Sequence, residues 1–305
     1  VWFDAPIGYI SSTKEWAKRN NKNWEDYWKK PDTRLIHFIG KDNIVFHCII
    51  FPSILKAHGE FILPENVPAN EFLNLEGRKI STSKNWAIWL HEYLNDFENM
   101  QDSLRYTLTV NCPENKDNDF TWKDFQSRNN NELVAILGNY INRVFVLTEK
   151  YFDSVVPKYE KIDSDQLLKI YNYVSSISNS LDKFKFRDSV NQLIDLARTG
   201  NKYLADKEPW KLYKENNISE VEQILYISLE NCALLSILSE PFIPNSAKKI
   251  REILNIKLIP WTKLSSEKKI IEPGHKIKKS NLIFRKVEDD EIQNQLNKLK
   301  LNIKN

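Results

Sequence analysis

The second half of the sequence carries the feature that most constrains its fold, a series of amphipathic stripes. After Arg128, apolar residues recur with the α-helical period of about 3.6 residues. Prolines, which break helices, fall between the stripes. The pattern predicts an antiparallel helix bundle joined by short loops. The stripes cover residues 131–152, 164–182, 186–206, 219–239 and 245–254, and the prolines are Pro157, Pro209, Pro241 and Pro244.

The first half has a different pattern. Residues 34–59 read as a short apolar strand, a turn at Gly40 and an apolar helix, which Pro52 is expected to kink or end early. This order is half of a βαβ unit, so it predicts a ligand crevice beyond the strand, around residues 40–42. The opening "VWFDAPIGYI" is expected to form a strand and a tight turn. "NWAIWLHEYL" is expected to form a short helix with four partly buried residues, Trp86, Ile88, Trp89 and Leu90.

Length, charge and cysteine usage narrow the class of protein. A chain of 305 residues suggests two domains, and its net charge of only +3 means that local patches must bind any polyanion. Three distant cysteines and five histidines without metal-ligand spacing predict no disulfide framework, no metal site and a reducing compartment, the cytoplasm. No signal peptide and no apolar span of about 18 residues stands out, so no membrane partner is expected.

A polar segment, "EGRKISTSKN", suits a phosphate. It has no apolar period, and it places three hydroxyl residues between Lys79 and Lys84, just after Gly77. Lysine supplies a point charge, while hydroxyl and backbone N–H groups donate hydrogen bonds to phosphate oxygens. The alternative is a solvated surface loop. The three hydroxyl residues are Ser81, Thr82 and Ser83.

Several single residues have both a functional and an ordinary structural interpretation. Asp42 is either the N-cap of a helix or an anion that faces a substrate ammonium, and His47 is either a core residue or part of the same pocket. Asn139 and Arg143 are spaced i and i+4, so they share a helix face that is either solvated or suited to base edges. Trp210, predicted in a loop, either packs or stacks on an unpaired base.

In their order and spacing, these segments resemble the methionyl-tRNA synthetases, which are class I aminoacyl-tRNA synthetases. The resemblance covers most of residues 1–290. It implies the second half of a Rossmann domain in residues 1–70, a signature loop and stem-contact region in 71–126, a helical anticodon-binding domain in 127–288 and a C-terminal helix in 289–305. The matching segments are "VWFDAPIGYI", "HFIGKDNIVFH", "EFLNLEGRKISTSKN", "DSLRYTL", "DNDFTWKDF", the Asn139-x-x-x-Arg143 helix and "ADKEPW".

The resemblance also implies roles for residues. Asp42 would hold the α-ammonium of methionine and His47 would close the side-chain pocket, whose other residues would be Trp2, Ala5, Pro6 and Tyr9. The family's Lys-Met-Ser-Lys-Ser loop, which stabilises the ATP phosphates, would be Lys79, Ile80, Ser81, Thr82 and Ser83. Thr82 stands where the family has its second lysine, and Lys84 is a candidate for that charge. The anticodon would be read by Asn139, Arg143 and Trp210.

The activity implied is ATP-dependent ligation of L-methionine to its tRNA through methionyl-adenylate, with Mg²⁺ accompanying ATP. The resemblance places the first half of the nucleotide-binding domain, and a knuckle that often binds zinc, before Val1. The chain alone is therefore expected to be inactive. Two alternatives remain. A non-catalytic tRNA- or RNA-binding module would have no use for Asp42 or Lys79, and a class I synthetase for another apolar amino acid would share most of the motifs.

Overall fold

The computed structural model describes residues 5–265 and 268–302, which divide into two compact units. The first unit contains residues 5–73 and 113–118. The second contains residues 74–112, 119–265 and 268–302. The first unit has the small parallel sheet and the second has most of the helices, as predicted from the two sequence patterns.

The first unit contains the predicted half of a βαβ arrangement. β1 (Ile39–Gly40) pairs in parallel with β2 (Ala69–Asn70), and α2 (Phe51–His58) lies between them in sequence. The prediction that Pro52 ends the helix is wrong. A π-helical turn, Phe46–Ile50, precedes α2 and leaves Pro52 in its first turn, where a missing N–H is tolerated. α1 (Ile7–Arg19) completes the unit, whose small core contains Ile10, Trp28, Phe51 and Leu55.

A tight hairpin begins the second unit. β3 (Leu73–Leu75) is the central strand of a three-stranded sheet, between β4 (Arg78–Lys79) and β5 (Asn118–Phe120). Glu76 and Gly77, which join β3 to β4, both have positive φ angles, 49° and 73°. Positive φ at both central residues is the type I′ turn, whose twist matches that of the two strands.

The predicted helix bundle is confirmed, with helix ends within two residues of most predicted stripes. A π-helical stretch, Asn129–Gly138, joins α5 directly to α6, so the first stripe begins slightly earlier than its period indicated. The helices are α3 (Leu90–Asp96), α4 (Gln101–Val110), α5 (Trp122–Arg128), α6 (Asn139–Phe152), α7 (Ser164–Asp182), α8 (Phe186–Lys207), α9 (Pro209–Lys214), α10 (Ile218–Leu238), α11 (Pro244–Leu254) and α12 (Asp289–Asn302).

α10 is the central helix of the bundle. It contacts α6, α7, α8, α9 and α11, and most of its side chains are buried. The expectation that the chain has no apolar span of membrane length is wrong, because α10 is long and apolar enough. However, 89% of its most apolar stretch is buried inside the protein. A helix that is hydrophobic all round is expected at the centre of a core, and α10 occupies that position.

The predicted helix at "NWAIWLHEYL" starts late. α3 begins only at Leu90, whose side chain is 61% exposed, contrary to the predicted burial. Trp86 is buried, but it belongs to a β-bridge with Ser81, and its indole N–H donates to the Leu75 carbonyl oxygen over 2.9 Å. Trp86 is therefore buried by packing beside the sheet and not by a helical stripe, while the Trp89 indole N–H donates to Asn85 Oδ1 over 2.8 Å.

The N-cap of α5 provides a test of the fold. The Thr121 hydroxyl oxygen accepts a hydrogen bond from the Asp124 N–H over 3.0 Å, and Trp122 and Phe125 of α5 are fully buried. We expect Thr121→Ala to lower the free energy of unfolding by about 1 kcal/mol, since one N–H at the helix start loses its partner. Denaturant unfolding measures this, with Thr121→Ser as the control that keeps the hydroxyl. Equal stability of the alanine and serine variants would contradict the capping role.

Candidate functional site

A buried histidine and a tyrosine are hydrogen-bonded in the first unit. His47, on the π-helical turn, is 5% exposed, and its Nε2 lies 3.0 Å from the Tyr9 hydroxyl of α1. Its Nδ1 lies 3.0 Å from the Asn43 carbonyl oxygen, which can only accept. Nδ1–H therefore donates to Asn43, and in the neutral ring Nε2 accepts from the Tyr9 O–H. Both ring nitrogens are satisfied, so the imidazole orients Tyr9, whose side chain is 44% exposed.

Sequence reasoning missed a second histidine beside this pair. The His37 ring centroid lies 5.3 Å from that of His47 and 5.7 Å from that of Tyr9, and the Phe51 ring contacts the His37 and Tyr9 rings. Burial, helped by the neighbouring His47, lowers the pKa of His37. The His37 ring is thus favoured in its neutral form, and its buried Nε2 has no hydrogen-bond partner among residues 5–265 and 268–302. The signal for it was its place on the strand that enters the predicted crevice.

Asp42 lies between the end of the strand and the start of the helix, as expected. It lies in a 3₁₀ turn, Lys41–Asn43, directly after β1, and its carboxylate is exposed. The neighbouring Lys41 is engaged elsewhere, with its ammonium 2.7 Å from an Asp117 carboxylate oxygen and also bonded to Glu71. Within residues 5–265 and 268–302, Asp42 has no hydrogen-bond or ion-pair partner. An exposed and unpaired carboxylate at a strand end is available to a substrate ammonium.

The opening segment differs in part from its prediction. Pro6 is buried and immediately precedes α1, but Gly8 is inside the helix rather than in a turn. Ala5 is exposed, and its carbonyl oxygen accepts from the Gly8 N–H over 3.0 Å. Trp2 lies outside the described residues. Of the predicted pocket residues, the structure brings Tyr9 and His47 into contact.

The polar segment is a short loop whose two ends are joined by backbone hydrogen bonds. Backbone hydrogen bonds of 2.9 Å in both directions join Ser81 to Trp86, and a turn bonds the Asn85 N–H to the Thr82 carbonyl oxygen. The Ser81 and Ser83 hydroxyl oxygens are 3.2 Å apart, so they face the same side of the loop. Lys79 and Lys84 are exposed at its two ends. Arg78 lies over the Trp86 ring, 5.2 Å from its centroid, which fixes the strand before the loop.

The predicted base-reading residues lie on α6 and α9. Asn139 is exposed and Arg143 half-buried, while Ile141 and Val144 face the core, as the i, i+4 spacing indicated. The loop predicted for Trp210 is wrong, because Trp210 lies in the first turn of α9, one residue after the buried Pro209. Proline at the start of a helix preorganises the turn instead of ending one. The Arg143 guanidinium lies 5.4 Å from the Trp210 ring centroid, a cation–π contact.

Metal-binding chemistry has no support in the described part of the chain. Across residues 5–265 and 268–302, no group of three or more histidine, cysteine, aspartate or glutamate residues could hold an ion. The three cysteines are free, with Cys48 exposed and Cys232 buried. His37 and His47 are adjacent, and no third histidine, cysteine or carboxylate ligand joins them within the described residues.

Two protein families match the chain in succession. Residues 1–145 match the family described as tRNA synthetases class I (M), and residues 157–301 match the anticodon binding domain of methionyl tRNA ligase. The first match contains the His47–Tyr9 pair and the polar loop. The second contains α9 with Trp210 and most of the bundle.

Individual relatives agree with these matches. The methionine–tRNA ligase of Christiangramia forsetii is 58% identical over 98% of this chain, but the chain covers only 44% of that protein. The crystal structure of the free Mycobacterium tuberculosis methionyl-tRNA synthetase superposes on 94% of the chain and 56% of its own, with a TM-score of 0.78 and 23% identity. The structure of that synthetase with methionyl-adenylate gives a TM-score of 0.74 over 84% of the chain and 50% of its own, also at 23% identity. The chain thus spans less than half the length of its curated relative.

Proposed function

Because the chain belongs to the methionyl-tRNA synthetase family, we propose that the full-length protein attaches L-methionine to its tRNA through methionyl-adenylate, with ATP and Mg²⁺ as substrate. The observation that carries this proposal is the hydrogen-bonded His47–Tyr9 pair, together with an Asp42 carboxylate that lies five residues before His47 in sequence and has no partner among the described residues. An oriented hydroxyl among aromatic rings suits a neutral side chain, and an exposed carboxylate suits the ammonium of an α-amino acid.

In this proposal the first unit binds the amino acid. The Asp42 carboxylate accepts hydrogen bonds from the α-ammonium, a charge-assisted contact that recognises any amino acid. Tyr9, held by His47, faces the side chain, and the neutral His37 and Phe51 rings close the apolar wall. Ala5 and Pro6 border the pocket where α1 begins. Trp2, which is part of the same proposal, lies outside the described residues.

The polar loop is proposed to act on ATP. Lys79 and Lys84 carry the positive charges, and the Ser81 and Ser83 hydroxyl groups, 3.2 Å apart, present donors on one side. As the methionine carboxylate attacks the α-phosphorus, negative charge builds on the phosphate oxygens. Fixed donors that meet this charge stabilise the transition state without covalent chemistry.

The bundle is proposed to read the methionine anticodon through Asn139, Arg143 and Trp210. An exposed amide one turn before a guanidinium offers donors and an acceptor to base edges, and the indole offers a stacking face.

We propose the functional division as residues 1–70 for the amino acid, 71–126 for the loop and stem contact, 127–288 for the anticodon and 289–305 as a final helix. A cytoplasmic location without a membrane partner completes the proposal, consistent with three free cysteines.

The test uses amino-acid-dependent exchange of pyrophosphate into ATP. The 305-residue chain would be compared with a chimera that adds, in natural order, the parts of the Christiangramia forsetii relative outside the matched region. We expect exchange with methionine by the chimera, little with leucine, isoleucine or valine, and none by the 305-residue chain. Asp42→Asn in the chimera should raise the KM for methionine.

The competing functions give different results. A folded chimera that prefers another apolar amino acid would assign the site to a different class I synthetase. A folded chimera that binds tRNA but exchanges with no amino acid would favour the non-catalytic RNA-binding module. Exchange by the 305-residue chain alone would contradict the requirement for the additional segment.

A further inference from the structure

A second aromatic contact joins α6 and α9. Beyond the Arg143–Trp210 contact, Tyr151 and Tyr213 stack with ring centroids 3.9 Å apart and planes 13° apart. Tyr151 lies two turns after Arg143 on α6, roughly 12 Å along its axis. On α9, Tyr213 follows Trp210 after about one turn. The contact between α6 and α9 therefore contains two aromatic positions, Trp210 and the Tyr151–Tyr213 pair. The Tyr151–Tyr213 pair has no role in the proposed reading of the triplet.

The packing of α9 keeps the Tyr213 ring at the surface. Pro209 is buried and Leu212 packs against the bundle core, so this side of the short helix is the one that anchors it. Tyr213 is 37% exposed, although one of its faces is covered by Tyr151. Tyr151 holds the Tyr213 ring in place from behind. A ring that is already immobilised loses little conformational entropy when a ligand stacks on its free face.

Two exposed lysines, Lys150 and Lys214, lie at the pair, and each is next in sequence to a glutamate, Glu149 and Glu215. The Lys150 ammonium lies 5.5 Å from the Tyr151 ring centroid, and Lys214 follows Tyr213 directly. Both lysines are exposed, and within the part of the chain that the structure describes neither has an ion-pair partner. Lys211, by contrast, is paired with Glu208 over 2.8 Å. A rigid aromatic face between unpaired ammonium groups matches a nucleotide, whose base stacks while its phosphate meets the charge.

We propose that the Tyr151–Tyr213 stack is a further nucleobase-binding site, which takes a base of the anticodon loop outside the triplet. Tyr213 stacks on the base, Tyr151 positions Tyr213, and Lys150 and Lys214 contact the adjoining phosphates. The site rests on the proposed function of the bundle, since it takes a base of the same RNA loop that Trp210 contacts. It widens recognition from the triplet to the loop that carries it.

The first experiment measures binding of the 305-residue chain to a methionine-type anticodon stem-loop. Tyr213→Ala is expected to weaken binding by about five- to a hundredfold, the range for losing one stacked base, while Tyr213→Phe retains most of the affinity. The matched control is Leu168→Ala, which removes an exposed apolar side chain from α7, a helix that packs on α8 and α10. Unchanged binding by a folded Tyr213→Ala protein would overturn the proposal.

The second experiment assigns the effect to a base. Each loop base outside the triplet is replaced in turn by an abasic residue, with wild-type and Tyr213→Ala protein. We expect one abasic position to weaken wild-type binding but to have no further effect on Tyr213→Ala, because both changes remove the same stack. Fully additive losses at every position would mean that Tyr213 contacts no loop base, which contradicts the site.

Failure of this proposal is distinguishable from failure of the proposed function. If Trp210→Ala loses affinity and Tyr213→Ala does not, anticodon binding stands and the further site is wrong. If wild-type protein binds methionine-type and altered-anticodon stem-loops equally, the proposed reading of the triplet is wrong. A loss in Tyr213→Ala that occurs with both stem-loops would still support the site, because its base lies outside the triplet.

Discussion

Replacing Trp210 by alanine is expected to weaken binding of the 305-residue chain to a methionine-type anticodon stem-loop by about ten- to a hundredfold. Stacking of a base on an aromatic side chain contributes about 1–3 kcal/mol. Trp210 is suited to this role because α9 fixes its backbone and the Arg143 guanidinium lies 5.4 Å from its ring centroid. The cation–π contact holds the indole orientation before RNA binds. Fluorescence anisotropy of a labelled stem-loop measures the change in Kd.

The control for this experiment is a tryptophan of the first unit. Trp16 on α1 packs edge-on against Tyr27 in the first unit and is 45% exposed, so Trp16→Ala removes a similar surface outside the proposed RNA site. Arg143→Ala should also bind more weakly, and it should discriminate less between the methionine anticodon and an altered one, because a planar donor fork reads base edges. A folded Trp210→Ala protein that binds both stem-loops as the wild type does would make Trp210 a packing residue only.

Long periodic segments could be predicted from the sequence for a physical reason. A helix such as α8 or α10 repeats its apolar stripe over several turns, so the period is measured many times within one element. β1 and β4 have two residues each, too few to show an alternating pattern. The π-helical stretches at Phe46–Ile50 and Asn129–Gly138 shift the helical period without any residue type that signals them. Tertiary packing decides these elements.

The candidate site residues also form two groups, those whose positions follow from local sequence and those whose positions follow from tertiary contacts. The places of Asp42 at a strand end and of Lys79 at a polar loop can be predicted because both depend on local sequence. The surroundings of His37 and the Tyr151–Tyr213 stack are formed by contacts between segments that are distant in sequence, so no sequence spacing predicts them. The sequence predicts a loop at Trp210 because a proline such as Pro209 commonly ends a helix. The structure uses that proline as the first residue of α9, and position relative to the helix decides which role a proline takes.

Backbone hydrogen bonds at the base of the polar loop hold its two lysines to different extents. Lys79 ends β4, where its backbone pairs with Asn74 of β3, whereas Lys84 lies within the turn that Thr82 and Asn85 close. The Lys79 backbone is therefore fixed by the sheet and the Lys84 backbone only by the loop. A charge on a fixed strand costs little reorganisation when phosphate oxygens become more negative. This difference predicts that Lys79 contributes more to the transition state than Lys84 does.

Lys79→Ala in the chimera with the Christiangramia forsetii segment is expected to lower the rate of methionyl-adenylate formation by at least about 10²-fold, the effect of losing one transition-state donor. The KM for methionine should change little, because Asp42 and Tyr9 are intact. Single-turnover adenylation measures the rate. Lys84→Ala should give a smaller loss, and Lys158→Ala, which removes an exposed lysine between α6 and α7, none. A parallel loss of rate and methionine affinity in Lys79→Ala would instead assign Lys79 to the structure of the sheet, because a residue that acts only on the phosphates leaves amino-acid binding intact.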